Sequence, residues 1–289
     1  MGVLFALAAL LCWGLGDFLI QKNVRKFGDA VVLFFVTAFG AIAIFPFIYS
    51  ELGTVFGIVG NWWLLMLLSV VILIAGLLDF EALRIGKISV IEPVFALEVP
   101  ITALLAAIII KEYLNFWQVF FIILLFLGIF LVAVKSFSFF KNFKKLKWER
   151  GVWQAILATL GMGGVNLLFA VGARETSPMM VNWVTSVFMA IFMLIYLLSK
   201  GRWGEIVRDW KKRKGLILSV GLVDNLAWIF FAFSVMYIPI AIAIGISESY
   251  IALAAALGFI LNKEKIKTHQ WAGLCLVVVA VVALGVITE

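Results

Sequence analysis

The chain has 289 residues, of which 65% (about 188) are apolar and 39 are charged, 23 of them Lys or Arg and 16 Asp or Glu. Soluble domains are about 45–50% apolar and about 25% charged, so a soluble enzyme or nucleic-acid-binding domain is excluded and an integral membrane protein is indicated. The formal charge of +7 says nothing about a partner until its placement along the chain is known.

A helix needs roughly 20 apolar residues to cross the hydrocarbon core. The apolar runs here are continuous rather than alternating, which excludes a barrel. Read in chain order they predict ten spans, near 2–20, 30–49, 62–80, 88–110, 116–134, 152–171, 179–198, 215–236, 239–261 and 268–286. The first run lacks a basic start and a small-residue cleavage site, so it reads as a retained span rather than a signal peptide. Cys12 and Cys275 fall inside apolar runs and read as reduced packing residues; no metal spacing is present.

The loops after spans 1, 3, 5, 7 and 9 carry 21 of the 23 basic residues; only Lys111 and Arg174 lie on the other side. Basic loops are retained in the cytoplasm, which places the odd-numbered loops there and both termini outside a cytoplasmic membrane. The positive balance then describes one membrane face, and nucleic acid is not an expected partner.

Leu104–Val134 overlays Ala256–Val286 at an offset of 152, aligning Lys111/Lys263, Glu112/Glu264 and Gln118/Gln270; Gly14 and Gly16 match Gly161 and Gly163 at 147. The chain therefore divides into a first five-span repeat (1–134), a basic linker (135–151) and a second five-span repeat (152–289). Five is odd, so the second half is inverted, a construction that places substrate sites near mid-membrane between the halves. The fold class expected is all-α integral membrane, ten helices in two inverted repeats.

Here the sequence resembles the drug/metabolite transporter superfamily, in particular its EamA-type members. The resembling residues are Trp13-Gly14-Leu15-Gly16, Ala82-Leu83-Arg84, Glu92-Pro93 with Pro100, and the elements Lys111-Glu112…Gln118 and Lys263-Glu264…Gln270…Gly273. The resemblance implies transport of a small metabolite, with spans 1, 3, 4, 6, 8 and 9 around a central cavity. Members often carry an Arg in span 2; Val31–Phe47 has no basic residue, so an organic-anion cargo is not carried over.

Ionisable side chains inside spans are expensive and by default functional. Trp13, Asp17 and Gln21 recur every fourth residue on one face of span 1. In span 8, Asp224 precedes Trp228 by one turn, with Asn225 adjacent. A carboxylate beside an aromatic face suits a cationic or amine-bearing ligand. In span 4, Pro93 and Pro100 bend or break the helix. Glu92 and Glu98 point about 240° apart, and Glu98, the deeper, is the one expected in a cavity. Ser247-Glu248-Ser249-Tyr250 forms a polar island in span 9. The expected substrate-binding residues are Trp13, Asp17, Glu98, Asn166, Asp224, Asn225, Trp228, Glu248 and Tyr250, with Glu98 and Glu248 as proton-coupling candidates. Glu81 and Arg84, three apart, read as an interfacial ion pair with Asp79 a looser neighbour; Gly161, Gly163 and Gly164 read as helix contacts.

The function expected is that of a secondary transporter, not an enzyme, moving an amino-acid-like, amine or quaternary-ammonium compound by alternating access. No cofactor or metal is expected; the partners are a small-molecule substrate and the bilayer, for a monomer or homodimer. The competing classes are a flippase for a lipid-linked carrier, which would show a lateral apolar groove, and a non-transport membrane subunit, which would cluster its polar groups at one interface.

Overall fold

The computed structural model describes residues 1–55, 59–86, 88–134, 150–253 and 267–288, without the side chains of Asp17, Phe18, Glu92 and residues 54–55, 59–61 and 88–90. All regular structure among them is helical: α1 (Gly2–Phe27), α2 (Asp29–Ile48), the single turn α3 (Leu52–Val55), α4 (Val59–Ile85), α5 (Ile88–Phe95), α6 (Glu98–Ile109), α7 (Phe116–Ala133), α8 (Val152–Glu175), α9 (Pro178–Ser199), α10 (Trp203–Ser234), α11 (Ile240–Glu248) and α12 (Thr268–Thr288). Eight of these are long and apolar enough to cross a membrane, and two shorter apolar stretches, Pro93–Ile109 and Ile240–Leu253, accompany them.

Local chemistry explains several boundaries. Gly28, at φ 83°, makes the turn from α1 into α2 without a Cβ penalty. Ser177 caps α9, its Oγ accepting from Met180 N at 3.1 Å, with Pro178 at the first helical position. The aligned Gln118 and Gln270 turn out to be helix starters. Gln118 Oε1 accepts from Asn115 N (3.0 Å) while Asn115 Oδ1 accepts from Gln118 N (2.9 Å), a capping box. In the second half Gln270 Oε1 accepts from Lys267 N at 3.1 Å.

One expectation is corrected. The helices outrun the apolar stretches: α1 continues through Lys22, Arg25 and Lys26, and α10 starts at Trp203 as a basic segment that ends where Arg213 leaves helical geometry (φ −144°, ψ 32°). Backbone hydrogen bonding does not stop where hydrocarbon does, and long basic side chains keep their charge in water. Span 4 breaks, as its prolines lead one to expect, at Ala96 and Leu97: Pro100 has no N–H for Ala96 O and sits in the first turn of α6.

Span 9 is also interrupted, at Ser249, a position exactly one 152-residue offset from Leu97 and with no proline nearby. There Ser249 N bonds Ile246 O (3.1 Å) and Ser249 Oγ donates to Gly245 O (2.9 Å), a tightened turn that ends α11.

The packing shows how the halves fit. The most extensive contacts are α7 with α12, α1 with α10, α8 with α4, and α9 with α2. Exchanging the halves swaps α1 with α8 and α10 with α4, so the α1–α10 and α4–α8 pairs are equivalents, while α2–α9 and α7–α12 are pairs of equivalents. Each half therefore lends its first helix to the other, and the core lies between them. Close approach depends on small residues: a Cβ on Gly161 would meet Ala75 Cβ at 2.9 Å, one on Gly163 would collide with Ile101, and one on Gly128 would meet Gly273 O at 2.9 Å. Gly164 faces open space.

Candidate functional site: an acidic, aromatic cavity between the halves

A cavity of about 120 Å³ lies where the two halves meet. At roughly 10–15 Å³ per water position it holds on the order of ten waters, the scale of a small metabolite. Of the residues singled out from sequence, Trp13, Glu98, Asn166, Asp224, Asn225, Trp228, Glu248 and Tyr250 all line it. The backbone of Asp17 lies on α1, one turn beyond Trp13, but its side chain and that of Glu92 are outside the described ones.

The helix breaks supply two of the acids. Glu98 opens α6 directly after the first interruption, and Glu248 closes α11 directly before the second; both are buried. Asn166, buried on α8, lies 3.5 Å from Glu98 Oε2 through its Nδ2 and 3.4 Å from Thr102 Oγ1. Asp224 comes from the middle of α10. Among the described residues no three His, Cys, Asp or Glu gather closely enough to hold a metal ion, so the acids are dispersed around the wall rather than caged.

The aromatic wall is a four-ring cluster. Trp13 and Trp228 meet edge to face at 5.4 Å, Phe169 packs on Trp228 at 4.8 Å, and Phe231 lies 5.7 Å from Trp13. Phe169 and Phe231 are fully buried, so they set the positions of the two tryptophans, which reach the cavity.

Sequence reasoning missed part of the wall. Asp79, expected as a loose neighbour of Arg84, lines the cavity with Ile72, Gly76 and Phe80. The spacing 72, 76, 79, 80 on one face of α4 was the available signal. Arg84 pairs with Glu81, and its Nε lies 3.7 Å from Asp29 Oδ1 on α2. Spans 2 and 7 also contribute, through Thr37 on α2 and Asn182, Thr185 and Ser186 on α9, because those two helices pack on each other across the junction. Asn225 does two things at once: it borders the cavity and ties α10 to α2, its Nδ2 donating to Gly221 O (2.7 Å) and Val36 O (3.0 Å).

Among the described residues the cavity lining includes four carboxylates and no Lys, Arg or His. A family model described as the EamA-like transporter family matches residues 1–134 and again 149–286, one match per half. The chain belongs to the EamA-like transporter family. No curated protein matches it; among the solved structures that do, a crystal structure superposes with a TM-score of 0.71 at 12% identity, covering 99% of this chain and 97% of that one, a likeness of fold. This EamA-like protein is a multi-pass membrane protein of a family of small-molecule transporters rather than enzymes.

The two ends of this EamA-like bundle are held in unequal ways by an arginine near the end of each half's first helix. At the end of α8, Arg174 donates through Nη1 to Glu112 Oε1 (2.9 Å), through Nε to Val235 O (2.8 Å) and through Nη2 to Ile238 O (3.2 Å). Lys111, at φ 55°, turns the chain out of α6 so that Glu112 also receives the N–H of Ile240 at 2.7 Å. Ser177 Oγ donates to Glu51 Oε2 at 2.5 Å at the same end. At the opposite end, Arg25 closes α1 and reaches Gly86 O at 3.3 Å, and Gly86 is the 152-offset equivalent of Ile238. Nearby, two hydrogen bonds to the Glu205 carboxylate (2.9 and 2.7 Å) raise the pKa of Arg202.

Proposed function

We propose that this protein is a secondary transporter that carries a small amine-bearing or otherwise cationic metabolite across the cytoplasmic membrane by alternating access. The observation that carries this reading is the composition of the cavity wall: Asp79, Glu98, Asp224 and Glu248, contributed by both halves, line it with an aromatic cluster and with no basic side chain among the described lining residues. A ring face and a carboxylate both attract positive charge, and the low-dielectric surroundings strengthen that attraction.

Ten passes are proposed, with the interrupted stretches 88–109 and 240–253 acting as spans 4 and 9. Irregular backbone at membrane depth is tolerated where it lines a cavity, which is where both interruptions lie. With the basic ends of α1, α4 and α9 in the cytoplasm, the Arg174–Glu112 cluster is external, and the state described is closed outside and loosened inside at Arg25. Glu98 and Glu248, at the two breaks, are the proposed proton-coupling acids. The lipid bilayer is the proposed environment of the exposed face of α7, where Phe116, Trp117 and Phe120 stand clear of the bundle.

The test is uptake and export in proteoliposomes by Asp17→Asn, Glu98→Gln, Asp224→Asn and Glu248→Gln. Loss of flux in at least the cavity-lining variants is expected; unchanged transport in all four would overturn the assigned site.

A further inference from the structure

The neutral polar side chains of the cavity share an orientation of their hydrogen bonding. Thr37 Oγ1 donates to Leu33 O (2.7 Å) and Thr185 Oγ1 to Val181 O (2.8 Å), each one turn back on its own helix. Asn182 Nδ2 donates to Pro178 O (2.8 Å), and Asn225 Nδ2 has both hydrogens engaged by Val36 O and Gly221 O. Asn166 Nδ2 is turned to Glu98 and Thr102. A backbone carbonyl can only accept, so the amide and hydroxyl orientations at Thr37, Thr185, Asn182 and Asn225 follow from their partners.

Thr37, Thr185 and Asn182 have turned their donors into their own helices and keep oxygen lone pairs, beside four carboxylates. Among the described lining residues the other neutral donors, the indoles of Trp13 and Trp228 and the hydroxyls of Ser186 and Tyr250, carry no charge to balance a ligand carboxylate. The lone pairs of Thr37, Thr185 and Asn182 can accept hydrogens that a ligand brings. Buried acceptors facing methyl groups would lose their water and gain nothing in return.

We infer that the cavity selects cations that carry their own N–H donors, an ammonium, amidinium or guanidinium group, over quaternary ammonium ions and over zwitterions. The inference rests on the cation-transporter reading above and narrows it: a cation–π wall alone accepts a quaternary ion, whereas the lone pairs of Thr37, Thr185 and Asn182 favour N–H.

The test uses the purified full-length protein with 2-aminoethanol, its N-trimethyl counterpart choline, and the zwitterion glycine, read by ligand-induced thermal stabilisation. Binding of 2-aminoethanol at least about tenfold tighter than choline and glycine is the expected result. Thr185→Val, nearly isosteric but without the oxygen, should shrink the 2-aminoethanol to choline ratio, whereas Gln118→Ala at a helix cap should leave it unchanged. A ratio is insensitive to a general loss of folded protein. Choline binding as tightly as 2-aminoethanol overturns the N–H selection and leaves the cation reading standing. Glycine binding as tightly as either cation, or binding by none of the three, overturns both.

Discussion

Arg174 and Glu112 join the two halves of the chain at one end of the bundle, Nη1 to Oε1 at 2.9 Å, while the other carboxylate oxygen of Glu112 holds the first N–H of α11 at 2.7 Å. A single side-chain pair therefore ties the end of α6, the end of α8 and the turn between α10 and α11. Because the pair is partly exposed, its worth lies in geometry more than in raw charge attraction.

Arg174→Gln and Glu112→Gln should each shift the conformational balance toward opening at this end. Hydrogen bonds to a charged group contribute about 1.5–3 kcal/mol, so a shift of about tenfold or more is expected. Cysteine-reagent labelling at an introduced Val181→Cys, buried on α9 near that end, reads it: faster labelling in the Gln variants is the expected outcome, and equal rates would remove the latch role.

The aromatic cluster predicts a graded effect at Trp228. Trp228→Phe keeps a ring beside Trp13 and Phe169 and should weaken binding of a cationic ligand only a few-fold. Trp228→Ala removes the face, and a cation–π loss of about 1–2 kcal/mol corresponds to roughly five- to thirtyfold in affinity. A titration of both variants with the same ligand separates ring contact from simple volume.

Asn225→Leu should lower stability by about 0.5–1.5 kcal/mol, since Val36 O loses the cross-helix bond that it accepts in addition to its place in the α2 ladder. The melting temperature of the detergent-solubilised protein should fall. Gly40→Ala should behave similarly, because a Cβ there collides with the Asn225 amide and Ser186 Oγ.

At the α7–α12 crossing, Gly128→Val should cost about 1–3 kcal/mol through overpacking, as backbone atoms of Gly273 and Val277 lie 2.9 Å from the added Cβ and cannot step aside. Asn115→Ala, which removes only the cap of α7, should cost about 1 kcal/mol and leave transport unchanged. Transport assays and melts on the two variants together distinguish a helix-packing defect from a capping one.

The membrane class, the helical content and the two-part repeat were legible in the sequence because each rests on a one-dimensional quantity: apolar run length, charge placement, and offset. The acids of spans 4, 8 and 9 were legible for the same reason, since a carboxylate in an apolar run stands out wherever it points. Gln118 and Gln270 were visible as a repeated pair, yet their role as helix starters needed the hydrogen bonds to be seen.

The tertiary structure decided what lies opposite what. No spacing along the chain brings Trp13 to Trp228 or Asn166 to Glu98, because those pairs come from different helices of different halves. Asp79 looked interfacial from its position near the end of a span, but the twist of α4 turns it to the cavity. The break at Ser249 had no proline to announce it. And the composition that opened the reading, an excess of positive charge, pointed away from the site. The described basic residues lie toward the ends of the helices, where water solvates them, while the few carboxylates held inside the bundle fix the character of the cavity.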